Sequence, residues 1–322
     1  MILIFSTQQD TSTQHVINWL IFFNQEIVVI NELNPVVDVF WEMKHDNPDL
    51  LLLKLSNGIE IDCSKVSAVW YRIGLYYLNF LFTPLSKIND FHDIYINLRE
   101  EYRRVTEIIF FELQAKTIGN YQNSIPNKLI ILKEANRVGL KTPCSRIITN
   151  AKNKINAPHV NKNISEVITF NYKEYLLFNR TTEQKTYPHQ RFYPSLIQEK
   201  IEKVCELRIF FCVDIFFTMA SFPENGKELE VDIRDITARR RQNRIPFELP
   251  AEISLKLRKL MDILNYNTCS IDMIIDNKNQ YYFLEINPTG QFGSLSSYCN
   301  FQIEKYIAHK LIEYAEKNNS RT

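Results

Sequence analysis

Asp272, Glu285 and Asn287 are the residues of this 322-residue chain whose types and spacing point most directly to chemistry. They lie in the stretch TCSIDMIIDNKNQYYFLEINPTGQFG, residues 268–293. Cys269 to Ile275 and Gln280 to Ile286 are rich in the β-branched and aromatic residues that strands favour. The polar run Asp276-Asn277-Lys278-Asn279 between them predicts the turn of a β-hairpin. With Ile275 opposite Gln280, the strand period of two places Ile271, Met273, Ile275, Tyr282, Leu284 and Ile286 on one face. Asp272, Ile274, Tyr281, Phe283, Glu285 and Asn287 then share the other. Two carboxylates and a carboxamide on one side of a sheet form the incomplete oxygen set with which proteins hold Mg²⁺, the remaining positions going to water and substrate phosphates. Alternation alone fits equally an ordinary hairpin whose polar face meets water. Pro288, Gly290 and Gly293 stop the strand directly after Asn287, and the glycines let backbone approach a ligand closely.

Other residues able to carry charge to a ligand lie upstream. Lys128 falls in the first turn of a predicted helix from Asn127 to Leu140, where free backbone N–H groups favour an anion; a surface lysine would look the same. Arg239, Arg240, Arg241 and Arg244 form the densest positive charge, close behind Asp232-Ile233-Arg234-Asp235. This run fits an anion-receiving wall better than a nucleic-acid arm, because the formal net charge is only +1 and interleaved aromatics are missing. That balance argues against nucleic-acid partners. The apolar runs, such as Leu20 to Phe23 and Ile108 to Phe111, fall far short of the ~20 residues that span a bilayer, so a soluble cytoplasmic protein with no membrane partner is expected. The six cysteines occur without CxxC pairs or neighbouring histidines and read as reduced core thiols.

The elements that must position these groups begin as β-α-β: a strand at Met1 to Ser6, a helix from Thr11 to Asn24, a strand at Glu26 to Asn31. A hairpin is predicted for Leu50 to Asp62 and a buried strand for Val66 to Arg72. Apolar residues at helical spacing from Phe91 to Ile109 predict one long amphipathic helix, whose charged side is a solvated face or the seam of a homodimer. Thr117 to Pro126 reads as a loop and the first domain boundary. Strands are expected around His159 to Ile164 and Tyr175 to Arg180, and over most of Ser195 to Ala220. Asn225-Gly226 marks a turn, Ala251 to Leu264 a helix, and Gln302 to Lys317 a final helix.

The order Asp272, then Glu285-Ile286-Asn287-Pro288, resembles the metal-binding end of the ATP-grasp ligases. The continuation Thr289-Gly290-Gln291-Phe292-Gly293 resembles more narrowly the graspetide synthetases, the microviridin-type and grasp-with-spasm peptide maturases. Tyr71-Arg72 is similar to a pair common in that branch, although Arg72 also fits a surface ion pair. The resemblance covers roughly residues 120 to 312 and implies an α/β (α+β) ATP-grasp fold. A small N-terminal α/β domain (1–119) would be followed by central (120–190) and C-terminal (191–322) subdomains that sandwich ATP. It implies Asp272, Glu285 and Asn287 as ligands of Mg²⁺ on the ATP phosphates, and Lys128 and Lys162 as phosphate-binding lysines. Gln198, Glu199, Lys200 and Ile201 would form the adenine hinge; Glu206 would be the acidic residue of an acidic-x-Arg motif. Arg208 and Arg234 would orient a carboxylate and stabilise its developing charge. The usual glycine-rich phosphate loop is missing: no glycine lies between Gly139 and Gly226, leaving Thr181, Thr182, Glu183 and Gln184 as the cover.

The reaction so implied uses ATP and Mg²⁺ to convert a carboxylate to an acyl phosphate, which a nucleophile opens. In the graspetide branch the partner is a precursor peptide with a leader segment; its Asp or Glu side chains are joined to Ser or Thr hydroxyls or Lys amines as macrocyclic esters or amides. The alternative within ligases is a RimK-like or glutathione-synthetase-like enzyme acting on a free amino acid. A nucleotide-binding regulator and a nucleic-acid module built on Arg234 to Arg244 are the readings of other classes.

Overall fold

The computed structural model describes residues 1–43, 45, 49–72, 92–119, 121, 124, 126–153, 158–165, 169–172, 175–178, 182–183, 191–223 and 242–319. Two compact units result: Met1–Ser124 with Gln291–Gly293 and Gln302–Thr322, and Ile125–Gly290 with Ser294–Phe301.

In the first unit the chain runs β1 (Ile2–Phe5), α1 (Thr11–Phe22), β2 (Ile27–Ile30), β3 (Val36–Glu42), β4 (Leu50–Leu55), β5 (Glu60–Asp62), β6 (Ala68–Tyr71), α2 (His92–Leu113) and β7 (Thr117–Ile118). The expected β-α-β opening pairs β1 with β2 in parallel, Ile2 opposite Ile27, and the sheet order is β2-β1-β6-β7. Leu3 and Phe5 point to one side and join Val69, Tyr71, Ile109, Phe110 and Leu113 in a core. Leu51, Leu53 and Leu55, alternating along β4, enter the same core. Each such fully buried side chain contributes roughly 1.5–3 kcal/mol. The antiparallel sheet β3-β4-β5 contains a strand, β3, that sequence reading did not anticipate. The loop expected at Thr117 to Pro126 begins instead with two residues of strand beside β6.

Arg72 is not at the surface. It is 3% exposed and its Nε donates to Asp10 Oδ2 at 3.1 Å. Asp10 is also the N-cap of α1, accepting from the Thr13 N–H at 3.4 Å. Burial raises the Asp10 carboxyl, but the Arg72 charge and the Thr13 hydrogen bonds outweigh it and hold the pKa below the ordinary value. The Arg72 guanidinium also lies 5.3 Å from the centre of the fully buried Phe292 ring, and Gln291 accepts from Ser12 Oγ at 3.0 Å.

The second unit contains α3 (Lys128–Arg137), β8 (Ser145–Asn150), β9 (His159–Lys162), β10 (Thr169–Tyr172), β11 (Tyr175–Phe178), β12 (Thr182–Glu183), β13 (Arg191–Glu199), β14 (Lys203–Cys212), β15 (Ile215–Pro223), β16 (Gln242–Pro246), α4 (Ala251–Leu264), β17 (Thr268–Asp276), β18 (Tyr281–Asn287) and α5 (Gly293–Cys299). A four-stranded sheet has the order β12-β9-β13-β8, β10 pairs with β11, and a five-stranded sheet has the order β16-β15-β14-β17-β18. One face of the five-stranded sheet is the main core: Leu207, Ile209, Ile271, Met273, Phe283 and Ile286 pack with residues of α3 and α4. Its other face carries the polar residues.

The hairpin register differs from expectation. Ile275 pairs with Tyr281 because the Asp276 carboxylate accepts from the N–H groups of Lys278 and Gln280 at 2.9 and 2.8 Å, drawing one more residue into the turn. Tyr281 and Phe283 therefore turn towards the core, contrary to the polar-face placement. A bulge that leaves Leu284 extra then restores the phase, so that Asp272 stands opposite Glu285 and Ser270 opposite Asn287. Five of the six cysteines are buried as expected; Cys144 is exposed, and all six are free. No helix among the described residues is long and apolar enough to cross a membrane.

Candidate active site

The pairing register of the five-stranded sheet places the chemistry in rows across one face. Arg208 on β14 is opposite Asp272 on β17, which is opposite Glu285 on β18. One row along, Arg244 on β16 is opposite Ser221, then Glu206, then Ile274. The row on the other side brings Ser270 beside Asn287. Directly opposed side chains stand with Cβ atoms about 5 Å apart, so the Asp272 and Glu285 carboxylates can reach one ion.

In this arrangement both carboxylates face cations. Arg208 Nη1 donates to Asp272 Oδ1 and Oδ2 at 2.6 and 2.7 Å. Lys128 Nζ lies 3.6 Å from Glu285 Oε2. Lys128 reaches that position because Asn127 caps α3, accepting from Leu129 and Ile130 N–H groups at 3.1 and 3.3 Å, which fixes Lys128 as the first helical residue. Burial tends to lower the Arg208 pKa, but the Asp272 and Glu285 charges outweigh it and the guanidinium is held above its ordinary value. Lys162 ends β9, opposite Leu196 on β13. Its ammonium is pushed below the ordinary lysine value by burial, with Glu285 and then Asp272 opposing the shift. Asp272, Glu285, Lys128, Lys162 and Arg208 thus form one electrostatic cluster drawn from five elements.

Glu206, 4% exposed, pairs with Lys203. On a regular strand residues three apart face opposite sides; the irregularity between Lys203 and Cys205 is what lets them meet, so no period rule would have found Lys203. Gly290 sits so close above this face that a Cβ there would lie 2.3 Å from Ser270 Cβ and Oγ and 3.2 Å from Arg208 Nη2. Ser270 is fully buried and its Oγ has no hydrogen-bond partner among the described residues. Neither Lys203 nor Ser270 carries a signal in the sequence beyond its place on a strand.

Asn287 is exposed, and its Oδ1 accepts from the Thr289 N–H at 3.1 Å, so the carboxamide is oriented by its own turn. Among the described residues no group of three or more His, Cys, Asp or Glu side chains is arranged to hold a metal. Asp272 and Glu285 with the Asn287 amide are nevertheless the kind of partial oxygen set that suits a magnesium ion completed by phosphate and water.

The residues expected to form an adenine hinge lie at and just beyond the end of β13. Gln198 is 1% exposed and its Nε2 donates to Ser145 Oγ at 2.9 Å. The Glu199 N–H donates to Cys144 O and the Lys200 N–H to Pro158 O, both at 2.9 Å. These two donors are therefore committed to the chain, and a base edge at 198–201, Ile201 included, would be read through other backbone atoms. Thr182 and Glu183 form a short strand beside β9. Arg234, Thr181, Gln184, the Asn225-Gly226 turn and Arg239 to Arg241 lie outside the described residues.

No family model matches the chain, and no curated protein sequence does. Solved structures do. The macrocyclase MdnC from Microcystis aeruginosa MRC, bound with precursor peptide MdnA, has a TM-score of 0.76 and 23% identity over 97% of this chain and 98% of its own. A RiPP-associated ATP-grasp ligase from Chryseobacterium gregarium, in complex with ADP and a leader and core peptide, has a TM-score of 0.74 and 20% identity over 100% and 97% of the two chains. A RimK domain ATP-grasp protein from Sphaerobacter thermophilus DSM 20745 matches at a TM-score of 0.52 and 11% identity over 97% and 99%. The fold is that of the ATP-grasp ligases.

Proposed function

We propose that this protein is an ATP-dependent ligase that activates Asp or Glu side-chain carboxylates of a ribosomal precursor peptide and joins them to Ser or Thr hydroxyls or Lys amines, giving macrocyclic esters or amides. The observation that carries the reading is the row Arg208, Asp272, Glu285 with Lys128 and Lys162 grouped around it. That cluster has the two halves phosphoryl transfer needs: cations for phosphate oxygens and carboxylates for a divalent ion.

Lys128 and Lys162 exchange their carboxylate partners for phosphate oxygens of ATP, and Glu206 and the backbone around Gln198, Glu199, Lys200 and Ile201 line the nucleotide. Asp272, Glu285 and Asn287 would hold Mg²⁺, which would supply charge neutralisation as the phosphoryl group moves. Arg208, with Arg234, orients the acyl substrate. A substrate carboxylate oxygen attacks the γ-phosphorus; the new O–P bond forms as the β–γ bridge breaks and ADP leaves. The acceptor hydroxyl or amine then attacks the acyl carbon, the acyl C–O bond to phosphate breaks, and the departing inorganic phosphate carries away the acceptor's proton. A tethered acceptor suits this chemistry, since a hydroxyl is a weak nucleophile and intramolecular attack replaces a bimolecular encounter.

The peptide reading is preferred to the free-amino-acid one because the better-matching structures were solved with precursor peptides, whereas the RimK domain protein fits less well. The same reading puts the enzyme in the cytoplasm and assigns 1–119, 120–190 and 191–322 as its three domains; the charged side of α2 is a solvated face or the seam of a homodimer. Incubation with ATP, Mg²⁺ and the precursor encoded beside the gene is expected to lower the peptide mass by one water per bond. Consumption of a free amino acid with an unchanged precursor would establish the RimK-like reading instead.

A further inference from the structure

The row of Arg208, Asp272 and Glu285 also runs the other way across the five-stranded sheet, and there its chemistry changes. Arg208 on β14 is opposite Met219 on β15, which is opposite Pro246 on β16. Met219 is buried, whereas Pro246 stands exposed on the edge strand. Two residues before Pro246, on the same face of β16, the Arg244 guanidinium lies 4.4 Å from the ring centre of Tyr298 on α5. That contact leaves the ring 59% exposed. Phe301, just beyond α5, packs on Phe217 of β15 at 5.6 Å, which ties the segment carrying Tyr298 to the β15–β16 side of the sheet.

The two sides of the face therefore suit different parts of a substrate. Lys128 and Lys162 direct their charge at Glu285 and Asp272, so the polyphosphate lies over β17 and β18 and the acyl substrate approaches over β15 and β16. On that side the reacting row ends in Met219 and Pro246, with the open ring of Tyr298 one row along. A tyrosine ring has few rotatable bonds and is already held by a cation on one side, so covering the rest with apolar matter costs little ordering. Pro246 adds a rigid ring without an N–H to satisfy. Two strand spacings of about 4.8 Å put Pro246 roughly 10 Å from Arg208 in backbone position, and alternate residues of an extended peptide are about 7 Å apart. A side chain one or two residues from the acid at Arg208 thus reaches Pro246 and Tyr298.

We propose that Tyr298, with Pro246, forms a specificity-determining shelf that receives an apolar side chain of the peptide substrate lying within two residues of the Asp or Glu that Arg208 orients. Arg244 acts only through its contact with the Tyr298 ring, as the support of that ring. The inference rests on the peptide reading above and names the neighbour of the reacting acid that this side of the site selects.

The test is equilibrium binding of the fluorescently labelled precursor, with ADP and Mg²⁺ present, to the wild-type protein and to Tyr298→Ala and Tyr298→Phe. The peptide is used intact and as a series in which each aliphatic, aromatic or proline residue is replaced in turn by serine. Tyr298→Ala is expected to weaken the intact peptide roughly tenfold, and Tyr298→Phe, which keeps the ring, to stay within about twofold of wild type. ADP affinity measured without peptide should be the same in all three proteins, which a collapse of the site would not allow. One substituted peptide, altered within two residues of an Asp or Glu, should show the same loss with the wild-type protein and no additional loss with Tyr298→Ala. Equal affinity of Tyr298→Ala and wild type for the intact peptide, or losses that simply add to that of Tyr298→Ala for every substituted peptide, overturns the proposal. Water loss from the precursor, followed by mass in the same samples, reports on the ligase reading separately: binding with this coupling but no mass change would leave the shelf standing and remove the reaction, and no binding of the precursor to the wild-type protein would remove both.

Discussion

At the scale of single residues, charge is arranged before any ligand arrives. Glu285 is half-buried on a polar face and contributes no packing to the core, so Glu285→Gln should keep the fold while removing one of two ionic metal ligands. Peptide-dependent ADP release is expected to fall by at least two orders of magnitude in a variant that still unfolds cooperatively; wild-type turnover would refute the metal assignment. Lys162 has a distinct signature. Its folded pKa is below its unfolded one, so the unfolded chain binds the extra proton and the buried charge is a penalty. The penalty is fully carried below the depressed folded value and is relieved as pH rises towards the ordinary lysine range. Lys162→Met should therefore raise the stability of the nucleotide-free protein near neutral pH, flatten its rise with pH in denaturant titrations, and raise the ATP concentration needed for half-maximal turnover.

At the scale of elements, individual side chains serve two structures at once. Asp10 caps α1 and also neutralises buried Arg72. Asp10→Asn retains an acceptor for the Thr13 N–H but removes the carboxylate charge facing a buried guanidinium, a loss on the order of 3–5 kcal/mol in chemical denaturation. Because the Asp10 pKa is held below its unfolded value, its contribution is present above the ordinary carboxylate range and is lost as pH falls through the depressed value. The variant should lack that part of the acid dependence. Gly290 is constrained by close approach: an added Cβ meets Ser270 at 2.3 Å, and a Cβ fixed to a strand cannot step aside. Gly290→Ala should displace either the turn after Asn287 or Arg208, lowering both the melting temperature and kcat, whereas Ser270→Gly in the same chain should restore part of each.

At the scale of the whole molecule, each compact unit has its own hydrophobic core, one centred on β1, β4 and β6 with α2, the other on β14, β17 and β18 with α3 and α4. Calorimetry is expected to resolve two contributions to unfolding. A ligand at 100 times its Kd adds about 2.7 kcal/mol to the state that binds it. Mg²⁺ with ADP should raise the contribution of the unit carrying Glu285 and Lys162, while Asp10→Asn should lower that of the other. A nucleotide shift confined to the unit of Asp10 would place the nucleotide site elsewhere.

Local pattern in the sequence was enough for the hairpin and for the type of most elements that support it. That Asp272, Glu285 and Asn287 share a face was legible because strand alternation and a glycine-proline stop are local properties, and α4 was bounded correctly at Ala251 and Leu264 because its apolar periodicity is regular. The β-α-β opening was legible for the same reason. Tertiary structure decided whatever depended on a register or a distant partner. The phase of the hairpin turned on the Asp276 carboxylate and the Leu284 bulge, each shifting pairing by one residue, and burial of Phe283 selected between alternatives that period two cannot separate. Arg72 became a core ion pair because its partner, Asp10, lies 62 residues away in sequence. Lys203 met Glu206 only through an irregularity in β14, and Arg244 joined the active face only through the order β16-β15-β14-β17-β18. Short-range pattern says which side chains share a face only as far as the strand is regular, and which strands lie side by side is set by burial of the whole sheet against α3 and α4, a property of the folded chain alone.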